Sequence, residues 1–568
     1  LYPVVQLLWL SLVDQAGEVS DVHFAKLFAR ITYVKVLGIT FRIAAWTTLF
    51  AVLAGYPVAY LLATTTVRRR NTLILWVLMP FWTSFLVRTF AWIVLLGRHG
   101  TLNTWLQDLG ITDAPLGLIY NFAGVMIGMV HALMPLAVLT MLAVMQTIDA
   151  NLPKAAATLG ARGGQAFWRI YFPLSLPGAA AGGLLVFITA LGFFITPALL
   201  GSGREIMIAQ VIIEQVEELL NWGFAGAVAV LLLVTALIVF YVYDRMLGMS
   251  TLAGSSAAAD KAVGAADNPI GRLGSWLGGH IIAALGWVCD LFAELVEKIR
   301  PIRPERPRRQ TSRWVLWVVA MAVIFYLAAP SFFVVPVSFS ENVFIEWPIK
   351  GFTFEWYERF LSSDIWVGAM IRSFLVGLAA ATLSMFIGVP AAFVLARQRL
   401  IGRTAALAFI LSPLIVPRII IAIAIFYLYA RVGLVGTSIG LVLGHTVLAV
   451  PFVVVTVMAV LKNYDERLDH AAWSLGASKA RTLWHITFPL IQPGLIAAFL
   501  FAFVTSFDEL TIALFVSGGT ATTLPKQMWT DALLKVSPTV LAVSTVILVF
   551  VTGVILLAEY AQRRSART

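Results

Sequence analysis

The chain has 568 residues, of which 60% are hydrophobic and only 12% charged, about half the charged fraction of a soluble globular domain. That balance points to a membrane protein, and the lack of strand-type alternation argues against an outer-membrane barrel. The net charge of +11 is expected from arginines gathered on one membrane face rather than from a nucleic-acid surface, and the lone Cys289 excludes an intrachain disulfide.

Apolar runs of roughly 20 residues read as membrane-spanning helices. In the first half they are predicted at 1–12, 38–64, 72–96, 121–148, 174–200 and 222–246. In the second half they fall at 314–338, 367–396, 404–430, 437–461, 490–516 and 537–560. Pro3 and Ser11 match Pro330 and Ser338 at one constant offset, so the sequence is expected to open partway through its first helix. The expected architecture is all-α and polytopic, with twelve spans in two six-helix repeats. Its parts are a first half at 1–249, a linker at 250–313 and a second half at 314–568.

Basic clusters orient the spans. Arg68, Arg69 and Arg70, then Lys154, Arg162 and Arg169, then Arg397, Arg399 and Arg403, then Lys462, Arg467, Lys479 and Arg481, and finally Arg563, Arg564 and Arg567 all fall on one side if the spans alternate. The positive-inside rule makes that side the cytoplasm, which also places the linker and the C-terminus there. Acids such as Glu214, Glu217, Glu218, Glu355 and Glu358 fall opposite. The linker begins and ends in flexible or proline-rich sequence, and its apolar middle, 270–299, is read as an amphipathic helix on the cytoplasmic membrane surface or against a partner.

One cytoplasmic loop is written twice. Residues 151–178 align without gaps on 467–494, and 13 of 28 positions are identical, including Ala155/Ala471, Ala156/Ala472, Gly160/Gly476, Ala161/Ala477, Pro173/Pro489 and Gly178/Gly494. "AAATLGA" predicts a short helix with a face of small residues that the glycine ends or bends. "FPLSLPG" and "FPLIQPG" are expected to break the chain at two prolines and restart a membrane helix. Two halves with one aligned loop each form a parallel repeat with a pseudo-twofold axis along the membrane normal.

The loop resembles the EAA loop of ABC-importer permeases. "PFWTSFLVRTFAW", "SFDELTIALF" and "TLPKQMW" are similar to the spermidine/putrescine branch, whose two permease subunits would here be fused in one chain. The resemblance implies a type I importer fold and a coupling helix in each loop. Those helices, at Lys154, Ala155, Ala156, Gly160 and Ala161 and at His470, Ala471, Ala472, Gly476 and Ala477, would dock two cytoplasmic ATPase subunits. ATP and magnesium would then belong to the ATPase, and a periplasmic binding protein would deliver the solute. Lys154 and His470 stand where the family pattern has Glu.

Charged groups within membrane helices are costly and default to functional candidates. Asp508 and Glu509 are predicted in the eleventh helix, with Thr505, Asp508 and Ile512 on one face. Arg88 and Arg418 are read as counter-ions for those acids or as contacts for an anionic group, and Trp82 as a cavity-lining candidate. A cation at Arg418 disfavours a polycation in the path, so amino-acid-, opine- or phosphonate-like solutes stand beside a polyamine-like one. No Gly-Lys pair occurs, which excludes a P-loop, and neither a metal-ligand spacing nor a catalytic constellation stands out. The chain itself is therefore expected to carry no chemistry and no cofactor. The rival reading, an ion-coupled secondary transporter, lacks its usual acid in "TTTVRRRNT".

Overall fold

The computed structural model describes residues 2–14, 16–161, 166–247, 313–342, 348–349, 351–398, 401–534 and 538–565, with isolated positions between 280 and 298. Apart from those positions, the helix expected in the linker lies outside the described residues. The first half comprises α1 (Tyr2–Leu10), α2 (Val22–Ala29), α3 (Ile31–Thr64), α4 (Val67–Trp82), α5 (Phe85–Leu96), α6 (Thr101–Asp108), α7 (Phe122–Met145), α8 (Asn151–Thr158), α9 (Phe172–Leu191), α10 (Ile195–Leu200), α11 (Ile208–Glu217) and α12 (Trp222–Leu247). The second half comprises α13 (Trp314–Val337), α14 (Glu355–Ser362), α15 (Asp364–Arg397), α16 (Arg403–Ile415), α17 (Arg418–Val432), α18 (Ser438–Lys462), α19 (Arg467–Ser474), α20 (Lys479–Thr482), α21 (Phe488–Phe507), α22 (Thr511–Val516), α23 (Leu524–Leu534) and α24 (Pro538–Ser565).

The repeat is as regular in space as in sequence. The starts of α7, α8, α9 and α11 at 122, 151, 172 and 208 recur 316 residues later at 438, 467, 488 and 524. Even the N-caps correspond: the Asn121 and Thr437 side chains accept from the backbone N–H of Gly124 and Gly440, each satisfying an otherwise orphaned donor. Among the described residues, eight helices are long and apolar enough to cross a membrane, and two sharply bent pairs raise the number to ten. The nine-residue α1 and the apolar stretch Pro538–Gly553 of α24 stand where the other two of the twelve expected spans fall.

The bent pairs correct the expected third and ninth spans, which were read as continuous. The chain turns by 84° between α4 and α5 and by 98° between α16 and α17. Proline supplies the reason. Pro80 sits in the last turn of α4, after which Thr83 is extended and Ser84 caps α5. Pro417 caps α17 and forces Val416 before it into extended backbone. The fifth and eleventh spans also break, at Gly192–Phe194 and at Asp508–Leu510. At the loop ends the opposite correction applies. Pro173 and Pro489 fall in the first turn of α9 and α21, and Pro177 and Pro493 lie inside those helices, so neither pair interrupts the chain.

A π-helical turn instead precedes each helix, at Phe167–Tyr171 and Leu483–Thr487. Just beyond, Gly178 and Gly494 let neighbouring helices approach. A Cβ on Gly178 would stand 2.8 Å from Val144 Cβ, and one on Gly494 would collide with Val460, the equivalent valine. Gly494→Leu is therefore expected to destabilise the bundle by about 1–3 kcal/mol through overpacking, read as a lowered melting temperature in detergent.

One apolar core runs through both halves, and the halves exchange their first helices. α13 packs on α3, α4 and α5 of the first half, while α1 packs on α17 of the second. Tyr326 Oη donates to the Ile127 carbonyl at 2.6 Å, and His131 Nε2 lies 3.0 Å from the Leu327 carbonyl. Trp222 packs its ring against Phe426 and Tyr427.

Candidate functional site

The duplicated loop builds the first site. α8 and α19 each end on a glycine in the left-handed region, Gly160 at φ +92° and Gly476 at φ +87°. The following N–H of Ala161 or Ala477 reaches back to the carbonyl of Ala156 or Ala472 at 2.9 and 3.0 Å, which closes each helix. Ala156 and Ala472 are buried, whereas Lys154, Ala155, His470 and Ala471 are exposed and Ala161 and Ala477 half-buried. Lys154 Nζ contacts only the nearby Asn151 side chain, at 3.3 Å, among the described residues.

Sequence reasoning missed the leucines. Leu159 and Leu475, equivalent in the repeat, are 89% and 88% exposed, and the equivalent Leu152 and Leu468 are 42% and 44% exposed. A leucine in a helical pattern reads as core. The signal that was available is that both pairs recur at the same offset as the glycines.

A second residue was also missed. Asp469, in the first turn of α19, is buried, and its side chain points inward. Its Oδ2 receives Arg397 Nη1 at 2.7 Å, and its Oδ1 receives the Tyr464 and Thr487 hydroxyls at 2.6 and 2.9 Å. Burial first, and then the hydrogen bond to Asp469, raise the Tyr464 phenol, so the hydroxyl stays protonated and donates.

The broken helices build the second site. They meet crosswise between the halves. Gly192 of the first half faces the second-half break: a Cβ there would be 2.9 Å from Pro417 Cβ. Asp508, the equivalent of Gly192, faces the first-half break. Its carboxylate accepts, at 3.4 Å, from the Phe85 backbone N–H. An acid of one half thus sits at the N-terminus of a helix of the other, where the helix dipole favours an anion. Arg88 is buried one turn inside α5. Its guanidinium lies over the Phe85 ring at 4.2 Å and donates to the Ala132 carbonyl at 3.4 Å. A narrow cleft at this junction, with about 10 Å³ for water, is lined by Thr83, Ser84, Phe507, Asp508 and Met528 among others.

The structure thus places Asp508 and Arg88 together at the first-half break, where both meet Phe85, and Arg418 at the second-half break beside Gly192; it separates the remaining candidates. Asp508 caps α21 and is not inside a helix, so Thr505, Asp508 and Ile512 do not share one continuous face. Thr505 is half-buried within α21. Glu509 is buried and accepts the backbone N–H groups of Thr511, Ile512 and Ala513 at 2.9, 2.8 and 3.2 Å, which makes it the cap of α22. Glu509→Gln is expected to cost about 1–2 kcal/mol of stability, read by thermal melting, with the choice of solute unchanged. Arg418 is exposed at the start of α17. Trp82 closes α4, and its side chain lies outside the described residues.

Crossed broken helices and a doubled loop lever define a two-halved membrane permease. The chain matches the family described as "Binding-protein-dependent transport system inner membrane component" twice, over residues 37–248 and 384–567, and it belongs to that family. It is 35% identical over 251 residues to the spermidine/putrescine transport system permease protein PotB of Haemophilus influenzae, covering 43% of this chain and 87% of that one. PotB of Escherichia coli is 34% identical, with 41% and 86% covered. PotC of Haemophilus influenzae is 31% identical, with 42% and 93% covered. Each relative is matched nearly whole by less than half of this chain, as a fusion of two permeases requires. It is a multi-pass membrane protein of a transport system, and its family comprises the membrane components of binding-protein-dependent transport.

Proposed function

We propose that the chain is the fused membrane pore subunit of an ATP-driven importer. Two cytoplasmic ATPase subunits, which would hold ATP and magnesium, dock on α8 and α19, and a periplasmic binding protein delivers a polyamine-like solute to the opposite mouth. The observation that carries the docking is the duplicated, almost fully exposed Leu159 and Leu475 beside Gly160 and Gly476. An apolar side chain left open at the same place in each half marks a partner surface. ATP-driven closure of the ATPase pair moves both levers, and the crossed breaks at Asp508 and Gly192 part and close in turn, which is alternating access. The basic loops, the linker and the C-terminus lie on the cytoplasmic side of a bacterial inner membrane under this reading.

The polyamine-like solute is supported by the kinship to PotB and PotC. The exposed Arg418 beside the junction favours a second reading, a solute with an anionic group such as an amino acid, opine or phosphonate.

The test is reconstitution with the ATPase subunits and the binding protein in liposomes. ATP-dependent uptake is expected, and Leu159→Asp with Leu475→Asp is expected to release the ATPase. Uptake that persists without ATP would overturn the importer reading. A thermal-shift screen of the binding protein with polyamines, amino acids, opines and phosphonates decides the solute.

A further inference from the structure

The two loop levers have the same shape but are fastened by different chemistry. In the second half, three membrane helices converge on one carboxylate. Arg397 is the last residue of α15, Tyr464 follows the end of α18, and Thr487 ends the π-turn that leads into α21. All three donate to Asp469, which is 3% exposed. Arg397 is held between the Phe393 and Tyr464 rings at 5.3 and 5.1 Å. Its other acid contact, Glu466, is 4.0 Å away, and its Nη2 has no hydrogen-bond partner among the described residues. Asp469 is therefore the main anchor of that guanidinium.

At the equivalent places the first half has Pro153 for Asp469, Ile148 for Tyr464, Tyr171 for Thr487 and Thr64 for Arg397. Among the described residues no buried carboxylate stands there; Arg313 donates to the Thr64 carbonyl at 3.4 Å in an exposed hydrogen bond, and the buried contacts are aromatic. Tyr60 of α3 meets Tyr171 and Phe167 of the π-turn at 4.9 and 5.1 Å, and Tyr56 shares a hydrogen bond of 2.6 Å with Ser175.

The physical difference bears on motion. A buried carboxylate with three short, directional donors cannot slip without stranding a charge, which is strongly destabilising. Ring contacts hold by area and tolerate small slides. We propose that Asp469 is a positioning residue for energy coupling. It clamps α19 to α15, α18 and α21 so that these helices follow the lever as one body, while the first-half lever acts through a softer aromatic joint. α21 then runs for 20 residues, about 30 Å at 1.5 Å per residue, from this clamp to Asp508 at the junction of the halves. The second half thereby carries the stiffer line from motor to gate. The inference rests on the docking of an ATPase at α19.

The test uses the complete complex with ATPase and loaded binding protein. Asp469→Asn keeps the side-chain volume and removes the charge facing Arg397. The ATPase is expected to stay bound with basal hydrolysis retained, while stimulation by the loaded binding protein falls on the order of tenfold. Arg397→Gln is expected to do the same, and the double variant no more than either alone, because both act through one joint. Tyr464→Phe, a milder change that keeps the ring under Arg397, is expected to lose part of the stimulation and serves if Asp469→Asn does not assemble. Full stimulation in an assembled Asp469→Asn or Tyr464→Phe complex, or additive losses in the double variant, would overturn the proposal. Leu475→Asp separates the two claims. If it leaves the ATPase bound and stimulated, the docking reading fails; if it releases the ATPase while Asp469→Asn stays fully coupled, only the clamp fails.

Discussion

Asp508→Ala is expected to lower uptake on the order of 100-fold while the protein still reaches the membrane. The change removes the acceptor for the Phe85 N–H and the acid that sits at the start of α5 beside the buried Arg88. Stranding such groups costs about 1–3 kcal/mol each. Because the loss falls where the halves cross, it bears on opening and closing more than on folding. Asp508→Asn sharpens the reading. Its amide oxygen accepts the same hydrogen bond from the Phe85 N–H, so a residue that only ties the halves together keeps a measurable part of its activity. A residue that must also meet a cationic solute loses as much with Asn as with Ala. Uptake by both variants, compared in liposomes at saturating and limiting binding protein, distinguishes these roles.

Gly160→Arg combined with Gly476→Arg is expected to bring uptake to background and to abolish the stimulation of hydrolysis by loaded binding protein. Both glycines hold left-handed backbone, which costs roughly 1–2 kcal/mol for a residue with a side chain. A Cβ at either would meet nothing within 4 Å, so the substitution does not reach the bundle. It instead sets a long cation beside the exposed Leu159 or Leu475. A modestly lowered melting temperature with the bundle still folded, together with lost stimulation, is the expected pair of results; undiminished stimulation would remove the docking surface from these loops.

The repeat, the membrane helices and the short helix in each duplicated loop could be read from the sequence because each rests on local pattern: apolar length, basic loops and a glycine at a fixed offset. The breaks could not, because hydropathy runs on through them. Taken whole, α5 is about as apolar as the neighbouring α7 despite Arg88, and only Pro80, followed by Ser84 as a cap, shows where the chain turns. The contacts that matter most join distant positions. Asp508 meets Phe85 across 423 residues, and Asp469 meets Arg397 across 72. Nothing near Asp469 distinguishes it from the exposed Asp465 four residues earlier, and only the fold shows which acid turns inward. The same holds for Glu509, which reads as a candidate ligand beside Asp508 and is a helix cap.

The exchange of first helices bears on biogenesis. As the chain leaves the ribosome, the first half reaches the bilayer with the face formed by α3, α4 and α5 still uncovered, and α13, which covers it, is made only after the linker. α1, which packs on α12 of its own half, meets α17 only once the second half is made. Neither half can therefore finish before the other has been inserted. Covalent linkage ensures that the missing piece arrives in cis, within one round of translation, instead of having to be found by diffusion among other chains in the membrane.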